Sequence, residues 1–341
     1  MKRNDFTEFF KAQMHEGDHI GRVTRLTHGL YTVVDDEQER NGEVSGRFHH
    51  TVEVDKDYPA VGDWVVFEPY DAGARAKIHR VLDRQTVLSR KKAGGSHQEQ
   101  IIAANVGTVF IVTALTQEFN LRRIERYVQQ IYESGASPVV VLTKRDLCDT
   151  VPEHIAKVES VAPGVPVYAV DSLTGTGMKE LVTELRVGDT ISLVGSSGVG
   201  KSTLINHLLG MEKQATQGVR EEDQRGRHTT THRELFELPN GTYIIDTPGM
   251  RELQLWGGDE EGVDQTFSDI DRLSASCKFR DCKHEREPGC AVQQAIDEGE
   301  LDVARLKSYN KLKRELKRLE LKDRYGTHRT NRMLHGPNAI K

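Results

Sequence analysis

Gly195-Ser196-Ser197-Gly198-Val199-Gly200-Lys201-Ser202 is the stretch whose reading decides the fold. It fits G-x-x-x-x-G-K-[ST], follows the apolar run Ile191–Val194 and precedes helical spacing over Lys201–Leu209. Strand, glycine loop and helix in that order make a phosphate cradle. The glycines let backbone N–H groups converge on an anion without Cβ clashes, and the helix N-terminus adds positive potential. Lys201 then reaches the β- and γ-phosphates, and the Ser202 hydroxyl suits Mg²⁺. Thr203, in the first helical turn, completes the candidate phosphate contacts.

Working outward, apolar runs alternate with helical patterns. Val109–Val112, Val139–Leu142 and Val165–Val170 are runs of strand length, while Leu121–Glu133 and Met178–Leu185 carry helical spacing. Such alternation predicts a parallel sheet covered on both faces. Glu234–Leu238 and Thr242–Ile245 follow, joined by Pro239-Asn240-Gly241, a hairpin signal. Residues 93–262 are therefore expected to form one α/β domain.

Three further segments end strands of that domain. Asp246-Thr247-Pro248-Gly249 places a carboxylate where it can hold Mg²⁺ and the Gly249 amide where a γ-phosphate would lie. Thr143-Lys144-Arg145-Asp146 offers an Asp146 carboxylate that can accept from guanine N1–H and N2–H₂, with Lys144 free to lie over the purine. Asp171-Ser172-Leu173-Thr174-Gly175 can bring backbone amides, those around Ser172 included, to the base. Between 211 and 233 the chain has neither helical nor strand period, and so long a loop is usually functional or disordered. Its Thr229-Thr230-Thr231 suits a switch ordered by phosphate and Mg²⁺; either Thr230 or Thr231 is the candidate ligand.

These segments resemble the motifs of the small GTPase superfamily in rotated order, with base recognition ahead of the phosphate loop. That order is a circular permutation, which is tolerated when the original termini lie close together. Met250 occupies the position of the water-orienting glutamine of Ras-like enzymes, so slow intrinsic hydrolysis is expected. His228, titratable and in the loop, is the candidate substitute, although a plain surface histidine fits equally.

Residues 1–18 are expected to be an N-terminal tail and 19–92 a barrel. Ile20–Leu26, Tyr31–Val34, Glu43–Phe48, Trp64–Glu68 and Lys77–Leu82 have strand composition, with Asn41-Gly42 among the intervening turns. Five short strands of this spacing suit an oligonucleotide-binding (OB) barrel, and an SH3-like barrel has the same pattern.

In 263–341, Cys277, Cys282, His284 and Cys290 fall within 14 residues and gather three of the chain's four cysteines. Four cysteines in 341 residues exclude a disulfide-dense scaffold, so the cluster predicts one closed, tetrahedral, structural zinc site. Leu306, Tyr309, Leu312, Leu316 and Leu319 then recur at helical spacing. The chain carries 47 Lys/Arg against 52 Asp/Glu, net −5, yet 12 bases and three acids lie from Arg305 to Lys341. That basic end suits a polyanion partner and equally a solvated helix face. The longest apolar run, Val109–Leu115, is far too short to span a membrane, and a cytoplasmic protein is expected.

Together these features resemble the bacterial ribosome small-subunit-dependent GTPases, the RsgA (YjeQ) family. The likeness extends over the barrel, Ile101-Ile102-Ala103-Ala104-Asn105-Val106, the permuted domain and the zinc module. It implies a multi-domain protein with an N-terminal all-β OB-like barrel, a central α/β circularly permuted P-loop GTPase domain and a C-terminal zinc-binding, helical domain. It implies GTP hydrolysis with Mg²⁺, stimulated by the 30S subunit, in late small-subunit maturation. Binding to 30S and 16S rRNA as a monomer, with release after hydrolysis, follows from the same likeness. One departure is Thr143 where the family has asparagine, whose amide contacts would be lost at some cost in nucleotide affinity. The competing reading is a nucleotide-gated RNA-binding module with negligible turnover, which Met250 favours.

Overall fold

The computed structural model describes residues 6–27, 29–52, 55–91, 99–210, 233–246, 266–285, 287–303, 305–311, 313–314, 317 and 321. Strands β1 (His19–Thr27), β2 (Leu30–Val34), β3 (Glu39–Val44), β4 (Trp64–Tyr70) and β5 (Arg75–Val81) hydrogen-bond in the order β1-β2-β3-β5-β4. Pairing of β4 back onto β1 closes a five-stranded barrel of the OB type. Alternate residues Val23, Tyr31, Val33, Val65, Phe67 and Ile78 fill it. Ahead of β1, helix α1 (Glu8–Lys11) sets Phe10 beside Phe6 against Trp64, so the segment expected as a tail is packed onto the barrel from Phe6 onward.

The third strand differs from the sequence reading. Glu43–Phe48 is not one strand: β3 ends at Val44, and helix α2 (Gly46–Thr51) begins with Ser45 Oγ accepting from Phe48 N. A serine N-cap outweighs the apolar pattern here. Asn41-Gly42, expected as a turn, instead pairs with Thr32 and Tyr31 inside β3. The inward position at Arg40 masked this strand. Its guanidinium is buried against Asp35, bonds Gly73 O and lies over Phe67.

Strands β6 (Val87–Lys91) and β7 (Glu99–Ala104) form a separate two-stranded ribbon on either side of the expected junction at 92/93. The α/β half then runs β8 (Thr108–Ala114), α3 (Leu121–Glu133), β9 (Ser137–Thr143), α4 (Val151–Val161), β10 (Val167–Ala169), α5 (Met178–Thr183), β11 (Thr190–Val194), α6 (Lys201–Leu208), β12 (Arg233–Glu237) and β13 (Tyr243–Asp246). The order β10-β9-β8-β11-β13-β12 is parallel except for the β12–β13 hairpin. Helices cover both faces, as expected: α3 and α4 pack on one through Ile124, Val128, Ile131 and Val158, and α5 and α6 on the other through Met178, Leu181, Leu204 and Ile205. Helix α4 is absent from the sequence reading because its buried stripe is thin, with Val158 its one fully buried residue.

The two halves share one sheet. β1 pairs antiparallel with β12 at Arg25↔Glu234 and Leu26↔Arg233, giving eleven strands in all. Beside this pairing, Arg22 is 1% exposed. It donates to Thr190 Oγ1 of β11 at 2.7 Å and to Gly62 O, with the rings of Trp64 and Tyr243 at 5.6 and 5.3 Å. Burial pushes its guanidinium down to about 9, well above neutrality, so a cation is held in the joint between barrel and α/β half. Gly62 is demanded at the same joint: its φ is +97, and a Cβ there would lie 2.1 Å from Ala104 O.

After the α/β half, helices Ser268–Ser274 and Ala291–Asp297 and a helical stretch at 305–311 share a small core of Phe267, Ile270, Val292, Leu301, Leu306 and Tyr309. Arg305, counted with the basic end, is buried instead. It pairs with Asp269 and faces Glu125 of α3 at 3.5 Å. Leu312, Leu316 and Leu319 lie outside the described residues.

Replacing Arg22 removes a buried donor and leaves Thr190, Gly62 O and a hole behind. Arg22→Ala should lower unfolding free energy by about 2–4 kcal/mol. Arg25→Ala, which breaks the more exposed pair with Glu234, should cost under about 1 kcal/mol. Urea unfolding of both variants checks the order, and equal losses would contradict the buried-joint account.

Candidate functional site

The parallel strands β8, β9 and β11 end at one edge, and the loops that leave them meet there. After β11 the chain turns at Gly195, whose φ is +146; a Cβ would lie 2.1 Å from Val112 O of β8. Only glycine allows so close a backbone approach. Gly198 and Gly200 also have positive φ, and α6 starts directly after Gly200. The first-turn N–H groups of α6 therefore have no intrahelical acceptor and point out of the helix end. Lys201 Nζ folds back over this turn, donating to Gly195 O at 2.6 Å and Ser196 O at 2.7 Å. Val199 is buried in the core while Ser197 and Gly198 are exposed, so the loop is anchored beneath and open above. Ser202 and Thr203 occupy the first turn of α6.

Thr143, the last residue of β9, is buried with its Oγ1 2.5 Å from Val199 O and 3.2 Å from Thr113 O. Its single proton goes to the nearer carbonyl. The threonine thus ties the segment 143–146 to the glycine loop. Lys144 follows with φ +57, and Asp146 lies in the 3₁₀ turn Arg145–Leu147. The next strand's loop comes alongside: Arg145 N donates to Val170 O, and His207 of α6 lies 3.2 Å from Ser172 O. Within that loop Asp171 accepts from the Thr174 hydroxyl and, at 2.9 Å, from Leu173 N, contacts that hold its carboxyl below the usual range. The buried Ser172 hydroxyl has no hydrogen-bond partner among the described residues. An open glycine cradle with an unsatisfied hydroxyl in the adjoining loop fits a nucleotide's phosphates and base.

Asp246 ends β13, opposite Glu234 of β12. β11 and β13 are adjacent and parallel, so Asp246 and the glycine loop leave the same edge of the sheet. Gly249, Met250, His228, Thr230 and Thr231 lie outside the described residues.

A second site is built in the C-terminal module. The ligand atoms of Cys277, Cys282, His284 and Cys290 all lie within 4.8 Å of one another. Cys277 Sγ is 3.9 Å from Cys290 Sγ, and His284 Nδ1 is 3.6 and 3.4 Å from those two sulfurs. Thiolates on a tetrahedral zinc with bonds of ~2.3 Å are separated by about 3.8 Å, so the donor set has the right size for that ion. His284 takes φ +57, and its Nε2 lies 3.0 Å from Ser274 Oγ. That partner fixes the ring and turns Nδ1 toward the sulfurs.

The sequence reading missed Arg123, on the first turn of α3, which donates to Ser196 Oγ in the glycine loop. Nothing in the local pattern marks it, because the contact crosses from one βα unit to the next.

A family model described as RsgA GTPase matches residues 81–256. The "Small ribosomal subunit biogenesis GTPase RsgA 1" of Oceanobacillus iheyensis is 44% identical over 332 residues, which cover 94% of this chain and 93% of that protein. The "RsgA 2" protein of Lactiplantibacillus plantarum is 44% identical over 326 residues, 95% of this chain and 91% of its own. Among solved structures, YjeQ from Thermotoga maritima superposes with a TM-score of 0.65 at 27% identity, covering 87% of this chain and 98% of that one. YloQ, described as a circularly permuted GTPase, gives 0.63 at 25% identity, covering 89% and 98%.

The cysteine–histidine cluster should bind about one metal ion per chain. Cys282→Ser leaves three ligands, so metal content should fall well below that of the parent protein and the C-terminal module should loosen. Elemental analysis of protein purified without chelator checks this, and a metal-free parent protein would remove the site.

Proposed function

This chain belongs to the RsgA GTPase family, and we propose that it hydrolyses GTP while bound to the small ribosomal subunit during its late maturation, leaving once the γ-phosphate is gone. The chain is a GTPase of ribosome biogenesis. The finer reading assigns its residues. Backbone amides from Gly195 to Thr203 receive the phosphates, and Lys201 neutralises the β/γ end. Ser202 and Asp246, with Thr230 or Thr231, hold Mg²⁺, which when bound offsets charge developing between the phosphates. Asp146 accepts from guanine and Lys144 covers the ring, with Ser172 at its edge. Cys277, Cys282, His284 and Cys290 hold zinc, whose role is to brace the C-terminal module.

The observation that carries the reading is the Thr143–Val199 hydrogen bond. It joins the segment that would read the base to the loop that would hold the phosphates, so one ligand can span both. The barrel and the basic residues beyond Lys307 would meet rRNA phosphates, and affinity for 30S would then fall steeply with salt. The protein would act in the cytoplasm, as a monomer, where assembling subunits are.

Lys201→Ala should abolish turnover in a folded protein. With Met250 unable to orient water, turnover of the parent protein should be slow alone and stimulated by 30S, within the ~10³–10⁵-fold range that positioning effects reach in GTPases. His228→Ala should remove the stimulation and spare GTP affinity and 30S binding. GTP turnover measured with and without 30S subunits is the test. Absence of stimulated turnover despite GTP-dependent 30S binding would favour a nucleotide-gated RNA binder instead.

Asp146→Asn replaces an acceptor of guanine N–H groups with an amide better matched to xanthine. GTP affinity should drop and XTP affinity should rise, as competition binding would reveal. Unchanged GTP binding would remove Asp146 from the base site.

A further inference from the structure

Two side chains from outside the glycine loop reach into it. Thr143 holds Val199, and Arg123 holds Ser196. The second contact has a specific electrostatic setting. Lys201 Nζ bonds the carbonyl of Ser196 at 2.7 Å while the Arg123 guanidinium bonds its hydroxyl, so two cations meet at one residue of the loop. Lys201 is the group that reaches toward the β- and γ-phosphates, which makes Ser196 the loop residue at that end of the site. A tether there acts where a nucleoside triphosphate and a diphosphate differ.

Arg123 is itself well placed to act as a fixed strut. Asn120 Oδ1 accepts from Arg123 N at 3.1 Å and caps α3, so the arginine leaves a rigid helix end. Its neighbours Ile124 and Glu125 are buried. Glu118 lies 3.5 Å from the same guanidinium and is exposed, so that pair adds little of its own. What remains is a charge-assisted contact from a planar donor fork to the loop, and such a fork orients its partner in a way a lysine ammonium does not.

We propose that Arg123 is a positioning residue of the GTPase site: through Ser196 it sets the turn 195–198 for the terminal phosphate, favouring GTP over GDP and supporting hydrolysis. This rests on the glycine loop being the nucleotide site, as argued above. A lost charge-assisted hydrogen bond commonly corresponds to tenfold or more in an equilibrium.

The test compares Arg123→Ala, Arg123→Lys, Ser196→Ala and the double variant Arg123→Ala/Ser196→Ala in the full-length protein. Affinities for GDP and for a non-hydrolysable GTP analogue are measured with kcat and thermal stability. Arg123→Ala should weaken the analogue and lower kcat by about tenfold each, with GDP affinity within about twofold of the parent. Arg123→Lys should recover part of the loss. Ser196→Ala should reproduce it, and the double variant should be no worse than either single change, the sign of a shared interaction. Equal weakening of GDP and the analogue, additive losses in the double variant, or parental behaviour of Arg123→Ala would each overturn the proposal. Lys201→Ala run in parallel separates this outcome from failure of the site itself: unchanged binding there removes the loop as the nucleotide site, whereas its loss beside a parental Arg123→Ala removes only the role of Arg123.

Discussion

The candidate nucleotide site depends on where one strand is inserted. β11 lies between β8 and β13, pairing parallel to both, with Ile191 opposite Thr108 on one side and Ile244 on the other. Parallel pairing aligns strand ends. It therefore brings the glycine loop after β11, Thr143 at the end of β9 and Asp246 at the end of β13 to a common edge, although these segments are far apart in the chain. Ligands of open α/β sheets bind outside such carboxyl ends. A β11 displaced to the sheet's margin would leave every motif intact and no site.

Much of this was legible because each motif carries its own local physics. The glycines from 195 to 200, the alternation of apolar runs and helices, and Asn240-Gly241 all specify backbone conformation within a few residues. The cysteine spacing likewise anticipated a cluster that the structure brings within ligand distance. What stayed hidden depends on partners distant in sequence. Arg40 occupies an inward barrel position because Asp35 and Gly73 satisfy it, so β3 lacks the alternation that marks a strand. Arg305 was indistinguishable in sequence from the bases that follow it until Asp269 and Glu125 were placed around it. The Thr143 hydroxyl shows the same limitation: its bond to Val199 O of the glycine loop spans 56 positions in sequence, and only the fold reveals it.

Helix α3 touches two regions far apart in sequence. Arg123 touches the glycine loop, while within the same turn Arg122 and Glu125 reach Ser308 of the C-terminal module and Glu125 also faces Arg305. Burial raises the Glu125 carboxyl while the Ser308 hydroxyl and the two arginines oppose that rise. The module that carries the cysteine cluster is thus fastened to the helix that borders the glycine loop, and a load applied to one bears on the other.

The single sheet that unites barrel and α/β half has a further consequence, for the order in which the chain is made. Synthesis proceeds from the N-terminus, and domains generally fold as they emerge. Barrel strands β1 to β5 are complete by Val81, yet the β12 partner of β1 begins at Arg233. β8 and β9 can likewise pair before β11 exists. Two sheet edges, one on β1 and one on β8, therefore wait unpaired on the ribosome until the strands that cover them are translated, and an open edge invites wrong pairing. A circularly permuted chain of this design exchanges an early closure of its α/β core for a late one, since β8 and β1 wait for β11 and β12.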